Sequence, residues 1–303
     1  MNEVLNKCLI LMLIIFTGYL IKRLKVYSPE VNTGINDLCF SLLFPLTILM
    51  SFYQKDMSII SISFILFTIF LFIINLFYSI FFANILVKDN IGTWIVSANA
   101  LFRGNFIIMG VPIISTLVGE KGLVLTGIAI GLSQIFYNFA SVLFYSKLDN
   151  TKINLKKIIS NIFKNNMMIG GILGVFLMIF KINLGIFADL FRNLGSISSP
   201  LALMCMGYNL GFINIKKYLK PALVISFFKL ILFPAIVLAL LKFFKFPLEE
   251  SVVSLVLFGA PVAVNTFTYA KRYNTQVQLA EYYIIVSTLL FIFTIQLFLR
   301  FVI

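Results

Sequence analysis

The 303-residue sequence contains no histidine, one tryptophan, three cysteines and only 11 acidic residues, and charged residues make up 12% of it. Without an imidazole there is no triad with a histidine base, no helical zinc-protease pair and no other His-ligated centre. Cys8, Cys39 and Cys205 are far apart and show no Cys-x-x-Cys spacing. Each lies in or at the edge of an apolar stretch and reads as a small buried residue. Soluble chains carry roughly one quarter charged residues, so the polar surface of a globular fold cannot be built from what is here. What the chain does have is apolar bulk: 61% hydrophobic residues, 34 phenylalanines and a mean hydropathy of +1.04. Lipid is the solvent that suits such a composition. The net charge of +13 does not point to nucleic acid, because the basic residues fall in short clusters between apolar stretches. They read as a topology signal.

A spanning helix needs about 20 predominantly apolar residues. Ten stretches qualify as candidates: 4–21, 35–52, 58–87, 91–118, 122–146, 167–182, 186–213, 218–244, 251–270 and 280–303. The first is preceded by Glu3 and followed by Lys22, Arg23 and Lys25, the wrong charge order for a cleaved signal, and so counts as helix one. With the amino terminus outside, fourteen of the 24 lysines and arginines fall in cytoplasmic loops and eight on the outer side, with Arg103 and Lys229 inside spans. This predicts an all-α, multi-pass protein of the cell membrane with both termini outside. The polar insert 147–166 carries five lysines against Asp149 alone. With Ile153, Leu155, Ile158, Ile159, Ile162 and Phe163 interleaved, it reads either as an amphipathic helix on the anionic inner leaflet or as a plain linker.

The insert separates a first half, 1–146, from a second, 167–303, each with five stretches. Because five is odd, the second half must run inverted relative to the first, as in many secondary transporters. Phe-Pro-Leu-Thr-Ile-Leu-Met at 44–50 and Ser-Pro-Leu-Ala-Leu-Met at 199–204 make Pro45 and Pro200 corresponding residues. The fourth stretch holds Asn105, Gly110 and Pro112, and the ninth holds Gly259, Pro261 and Asn265. Proline removes a backbone donor and glycine lets the chain unwind, so both helices are expected to break or bend in mid-span. An unpaired amide in hydrocarbon costs several kcal/mol, so such breaks survive only inside protein or beside a watery cavity.

The amino termini of the second half-helices carry partial positive charge and favour an anion. Asn105 and Asn265 either cap the broken backbone or bind the solute. Arg103 draws an anion inward or pairs with a carbonyl. Gln134 and Asn138, four residues apart on one helix face, line the cavity or bond neighbouring helices. Lys229 reads as a snorkelling lysine. No pair of acids lies in mid-span and no cofactor is implied. Sodium on backbone carbonyls, protons, or the membrane potential alone, worth about 2.3 kcal/mol per charge per 100 mV, remain as driving forces.

The stretch LFRGNFIIMGVPIISTLVGEKGL (101–123) resembles the fourth span of the auxin efflux carrier family, also called the membrane transport protein family. GAPVAVNTFTYAKRYNTQVQLAEYYIIVSTLL (259–290) is similar to its ninth span and the start of its tenth, and SPLALMCMGYNLG (199–211) to its seventh. The resemblance implies a ten-helix carrier of two inverted five-helix repeats with crossed, broken helices four and nine, an architecture shared with bile acid sodium symporters. It implies transport of small organic anions such as auxin or dicarboxylates, with the broken-helix positions carried onto Asn105, Gly110, Pro112, Pro261 and Asn265. Two departures stand out: Asn165-Asn166 replaces the family's frequent Asn-Pro at span six, and the long central loop of plant members is missing. The expected function is a secondary transporter working by alternating access, with spans one, two, six and seven as scaffold. A passive channel or a receptor on the same fold is the alternative. An intramembrane enzyme would need a nucleophile with its base or clustered acids. The expected partners are a small organic anion, membrane lipid and a second copy in a homodimer.

Overall fold

The computed structural model of the chain describes residues 2–55, 61–88, 90–149, 165–209 and 215–303. Of the polar insert 147–166, expected as an interfacial helix or linker, residues 150–164 lie outside the described residues, while 147–149 end one helix and Asn166 begins the next. The chain folds into α1 (Asn2–Arg23), α2 (Pro29–Phe52), α3 (Ile62–Leu86), α4 (Ile91–Phe102), α5 (Val111–Leu117), α6 (Gly119–Asp149) and α7 (Asn166–Ile179). After these come α8 (Ile186–Ser196), α9 (Ser198–Asn209), α10 (Lys216–Phe243), α11 (Leu248–Gly259), α12 (Asn265–Arg272) and α13 (Val277–Leu299). Among the described residues, α2, α3, α6, α10 and α13 are long and apolar enough to cross a membrane by length and composition.

Helix starts follow from local chemistry. The Ser61 hydroxyl accepts from the Phe64 N–H at 3.1 Å, and the Asn90 side chain from the Thr93 N–H at 2.8 Å. Asn165 caps α7 by accepting from Met167 and Met168. Each supplies an acceptor to amides that have no partner within the helix.

Three of the prolines within helices act by a common rule. Five-residue π turns lie at Cys39–Leu43, Phe106–Gly110 and Phe228–Leu232, and each ends two residues before a proline: Pro45, Pro112 and Pro234. Proline cannot donate to the carbonyl four residues back, and its ring crowds that carbonyl. The preceding turn widens instead, so that Phe44 donates to the carbonyl of Cys39 and Phe233 to that of Phe228, each five residues back.

Two groups of helices face each other. In the first, α1 packs on α9 and α2 packs on α7 and α8. Close approach there depends on missing side chains: a Cβ at Gly207 would collide with the Ile15 carbonyl, one at Gly18 with the Met204 carbonyl, and one at Gly170 with Pro45. The second group, α3, α4, α6, α10, α11 and α13, is tied by aromatic rings, with Phe72 stacked on Phe136 at 4.8 Å and edge-on to Tyr137 and Phe258.

Lys121 at the start of α6 and Glu249 at the start of α11 form an ion pair of 3.1 Å. The backbone N–H of Glu249 and the Lys121 ammonium hold its carboxyl below the usual carboxylate range. Because the folded value is the lower one, the pair stabilises above the unfolded pKa and its contribution is lost as pH falls through the folded pKa. Both groups meet solvent, so Lys121→Ala is expected to cost no more than about 0.5 kcal/mol at neutral pH and nothing in strong acid. Thermal melts at the two pH values check this.

Candidate functional site

Break one, between α4 and the π turn at Phe106–Gly110, spans Arg103, Gly104 and Asn105; break two, between α11 and α12, spans 260–264. The two breaks bind each other. Asn105 N–H donates to the Pro261 carbonyl at 2.7 Å, Ala263 N–H donates to the Arg103 carbonyl at 3.2 Å, and Gly104 and Val262 form an antiparallel bridge. The amides left at the bridge are taken by hydroxyls on the second helix after each break: Gly104 N–H by Tyr137 of α6 at 3.1 Å, and Val262 N–H by Ser287 of α13 at 3.0 Å. Four amides of the unwound backbone thereby find acceptors within the protein. Glycine gives room at position 104, since a Cβ would sit tightly, 3.2 Å from the Ala260 Cβ and 3.3 Å from the Leu257 carbonyl.

The break in the first half, Arg103–Asn105, takes in Asn105 at the head of the expected Asn105–Pro112 cluster and lies upstream of Gly110 and Pro112. Pro112 only widens the turn before it, and Gly110 packs tightly against Phe106 and Val256. In the second half the break does contain Pro261, whose carbonyl is the acceptor for Asn105.

Around the bridge lies a cavity of about 40 Å³ lined by Arg103, Asn105, Ser133, Gln134, Tyr137 and Asn265 among others. Phe106, Ile107 and Ile108, at the start of one half-helix, and Val264 and Asn265, at the start of the other, also line it. Amides in the first turn of a helix have no acceptor within that helix. Asn105 is buried, with its amide nitrogen 3.7 Å from the Met206 sulfur, and its side chain caps nothing. Asn265 is half-buried, and among the described residues its side chain has no hydrogen bond. Gln134 accepts from Asn165 at 3.3 Å, so the residue that caps α7 also reaches this cavity wall. Asn138 is half-buried and lines neither this cavity nor the larger one described below.

Arg103 is 3% exposed. One terminal nitrogen donates to the Ser141 hydroxyl at 2.8 Å and the Tyr137 carbonyl at 3.2 Å, while its Nε is buried without a partner. The guanidinium lies between the rings of Tyr137 and Tyr269, 5.1 and 5.3 Å from their centroids. Among the described residues no carboxylate pairs with it.

Lys229 overturns the snorkelling expectation. It is 1% exposed and donates to the carbonyls of Leu101 at 3.0 Å and Phe102 at 3.4 Å, the last of α4. The Pro234 π turn contains Lys229, and the carbonyl end of a helix attracts a cation, so the side chain ends inside the protein rather than at the interface.

A larger cavity of about 580 Å³ separates α1, α2, α8 and α9 from α5 and α6. Pro112, Ser115, Thr126 and Ser199 are among the residues that line it, with Lys55 and Arg192 also in its wall. Neither cavity lining includes an aspartate or glutamate. Cavities of about 300–1,000 Å³ suit small ligands.

A family model described as membrane transport protein matches residues 3–299. The chain belongs to the membrane transport protein family. No curated protein matches it. Membership makes it a multi-pass membrane transport protein, in keeping with its long apolar helices.

In this membrane transport protein Arg103, Asn105, Gln134 and Asn265 come together at the paired breaks, and Pro261 supplies a backbone acceptor there. Sequence reasoning missed Gly104, Tyr137, Ser287 and the destination of Lys229. Tyr137 had a signal, since Ser133, Gln134, Tyr137 and Ser141 recur at helical spacing on α6. Ser287 had none.

Proposed function

We propose that this membrane transport protein is a secondary transporter that carries a small organic anion through the paired breaks by alternating access. In this reading ten spans form two inverted five-helix repeats with both termini outside. The larger cavity is the outward vestibule and the collapsed 40 Å³ space is the closed inner side of the site. The observation that carries the proposal is a buried guanidinium that, among the described residues, has no carboxylate partner, set beside two half-helix starts in a cavity wall free of acids. A carboxylate guest supplies the missing negative charge and accepts from the free amides. The group α1, α2, α7, α8 and α9 acts as scaffold, and the helices bearing the breaks move against it.

Asn105→Ala and Asn265→Ala in liposomes are each expected to raise the half-saturating concentration of the transported carboxylate about tenfold, the worth of one hydrogen bond to a charged group. Unchanged saturable uptake of every accepted anion in both variants rejects the site. Counterflow of labelled against unlabelled anion separates a carrier from a channel, whose flux needs no conformational cycle.

A further inference from the structure

Away from the paired breaks, the end of α3, the start of α4 and the last turn of α6 enclose a cavity of about 520 Å³. Asn84, Lys88, Asn90, Ile91, Trp94 and Lys147 are among the residues that line it. The Trp94 Nε1–H donates to the Asn84 side-chain oxygen at 2.7 Å, and the Thr93 N–H donates to the Asn90 side-chain oxygen at 2.8 Å. An indole and a main-chain N–H can only donate, so both amide oxygens are committed and each asparagine keeps its NH2 group free. Lys147 Nζ stands 3.7 Å from the centroid of the Trp94 ring, and that ring is itself buried edge-on to Phe144. The contact holds the ammonium at the cavity wall. Among the described residues neither Lys88 nor Lys147 has a carboxylate partner. Two ammonium groups and two amide donors therefore meet at one opening. Such a set takes an anion.

The surroundings say which anion. Phe77, Phe81 and Ile85 recur every fourth residue along α3, all exposed, and lead to the turn that carries Asn84; Ile91 in the cavity wall is exposed too. In a membrane transport protein an exposed apolar stripe of this kind faces acyl chains, and tryptophan beside lysine at helix ends marks the headgroup level. The lysines of the insert 147–166 follow directly after α6 in the sequence, adding to the attraction of this end for an anionic leaflet. We propose that this corner is a headgroup site for an anionic phospholipid. Lys88, Lys147 and the two asparagine amides hold the phosphate, and an acyl chain lies along Phe81 and Ile85. A choline headgroup is disfavoured, because its own cation would sit beside two ammonium groups. The inference rests on the membrane setting of the family and is independent of the anion-carrier reading.

The test needs no transported solute. Purified protein in uncharged detergent is melted with increasing dioleoylphosphatidylglycerol or dioleoylphosphatidylcholine. Phosphatidylglycerol is expected to raise the melting temperature saturably by roughly 4 °C, and phosphatidylcholine by less than about 1 °C. Lys88→Gln combined with Lys147→Gln is expected to lose most of the phosphatidylglycerol shift. Lys216→Gln combined with Lys217→Gln removes the same charge from the exposed start of α10 and is expected to keep it. Native mass spectrometry supplies a count that does not depend on stability: tightly held phosphatidylglycerol is expected on the wild type and the α10 variant and missing from the cavity variant. Where the cavity variant melts lower in detergent alone, that count decides. Retention of the lipid by the cavity variant overturns the proposal, as does equal loss in the α10 variant or an equal shift with phosphatidylcholine. The same shift from inorganic phosphate or glycerol phosphate alone makes this a site for a soluble anion and rejects the lipid.

Discussion

Arg103→Met is expected to lower saturable anion flux by roughly 100-fold or more while the protein still folds. The guanidinium is 3% exposed, touches Ser141 and the Tyr137 carbonyl, and stacks between Tyr137 and Tyr269. A positive charge at such a depth is costly unless something compensates it. Backbone and hydroxyl oxygens do so in part here, leaving Nε buried and unpaired. Methionine keeps much of the side-chain volume and removes the cost of burying the charge, so folding should be preserved or improved. On the proposed anion-carrier reading, what disappears is the attraction for the guest: a charge-assisted contact of about 3 kcal/mol corresponds to roughly two powers of ten in rate or affinity. Arg103→Lys retains the charge but loses the planar stack and the fork, and an intermediate loss of about tenfold is expected. Flux in proteoliposomes, normalised to folded protein by size-exclusion chromatography, checks both. Wild-type flux in Arg103→Met would falsify the role of this residue at the anion site.

The second large effect is on stability. Gly207→Val is expected to destabilise the fold by about 3 kcal/mol or more, seen as a melting point lower by roughly 6–10 °C in detergent. In lipid, helices are held together by close van der Waals fit rather than by expulsion of water, and small residues at the contact allow that fit. α1 and α9 meet through Gly18 and Gly207, each facing main-chain atoms of the other helix. A backbone neighbour cannot rotate away as a side chain does, so the helices must separate along the whole contact. Gly131→Ala on α6 has nothing within 4 Å of the added methyl group. Alanine is the better helix former there, so a gain of about 0.5–1 kcal/mol is expected. A Gly207 variant that melts like the wild type would show that the helix contact tolerates side chains.

Much of the site was legible from particular residues. Asn105, Gln134, Arg103 and Asn265 stand out because polar side chains are rare in apolar stretches, and all four line the space at the breaks. Pro112 misled, because proline has two outcomes in a buried helix. In one it widens the turn before it, as before Pro45, Pro112 and Pro234. Where the other half offers a pairing strand it sits in a true break, as at Pro261. The choice lies with the partner rather than the proline. Lys229 is a similar case: a lysine in a long apolar run is equally able to reach the interface or an internal helix end, and only the turn before Pro234 selects the second.

The sequence by itself determined that lipid surrounds this protein, that it is helical, and where most helices begin and end. Those properties are sums over neighbouring residues: transfer free energy along a stretch, caps such as Asn165, and the missing donor of each proline. Tertiary structure alone decided that Gly104 pairs with Val262, that Tyr137 and Ser287 take the remaining amides, and that Lys229 ends on the carbonyls of α4. An orphaned backbone group in hydrocarbon must find some partner, but which partner depends on what packing brings within reach from distant parts of the chain.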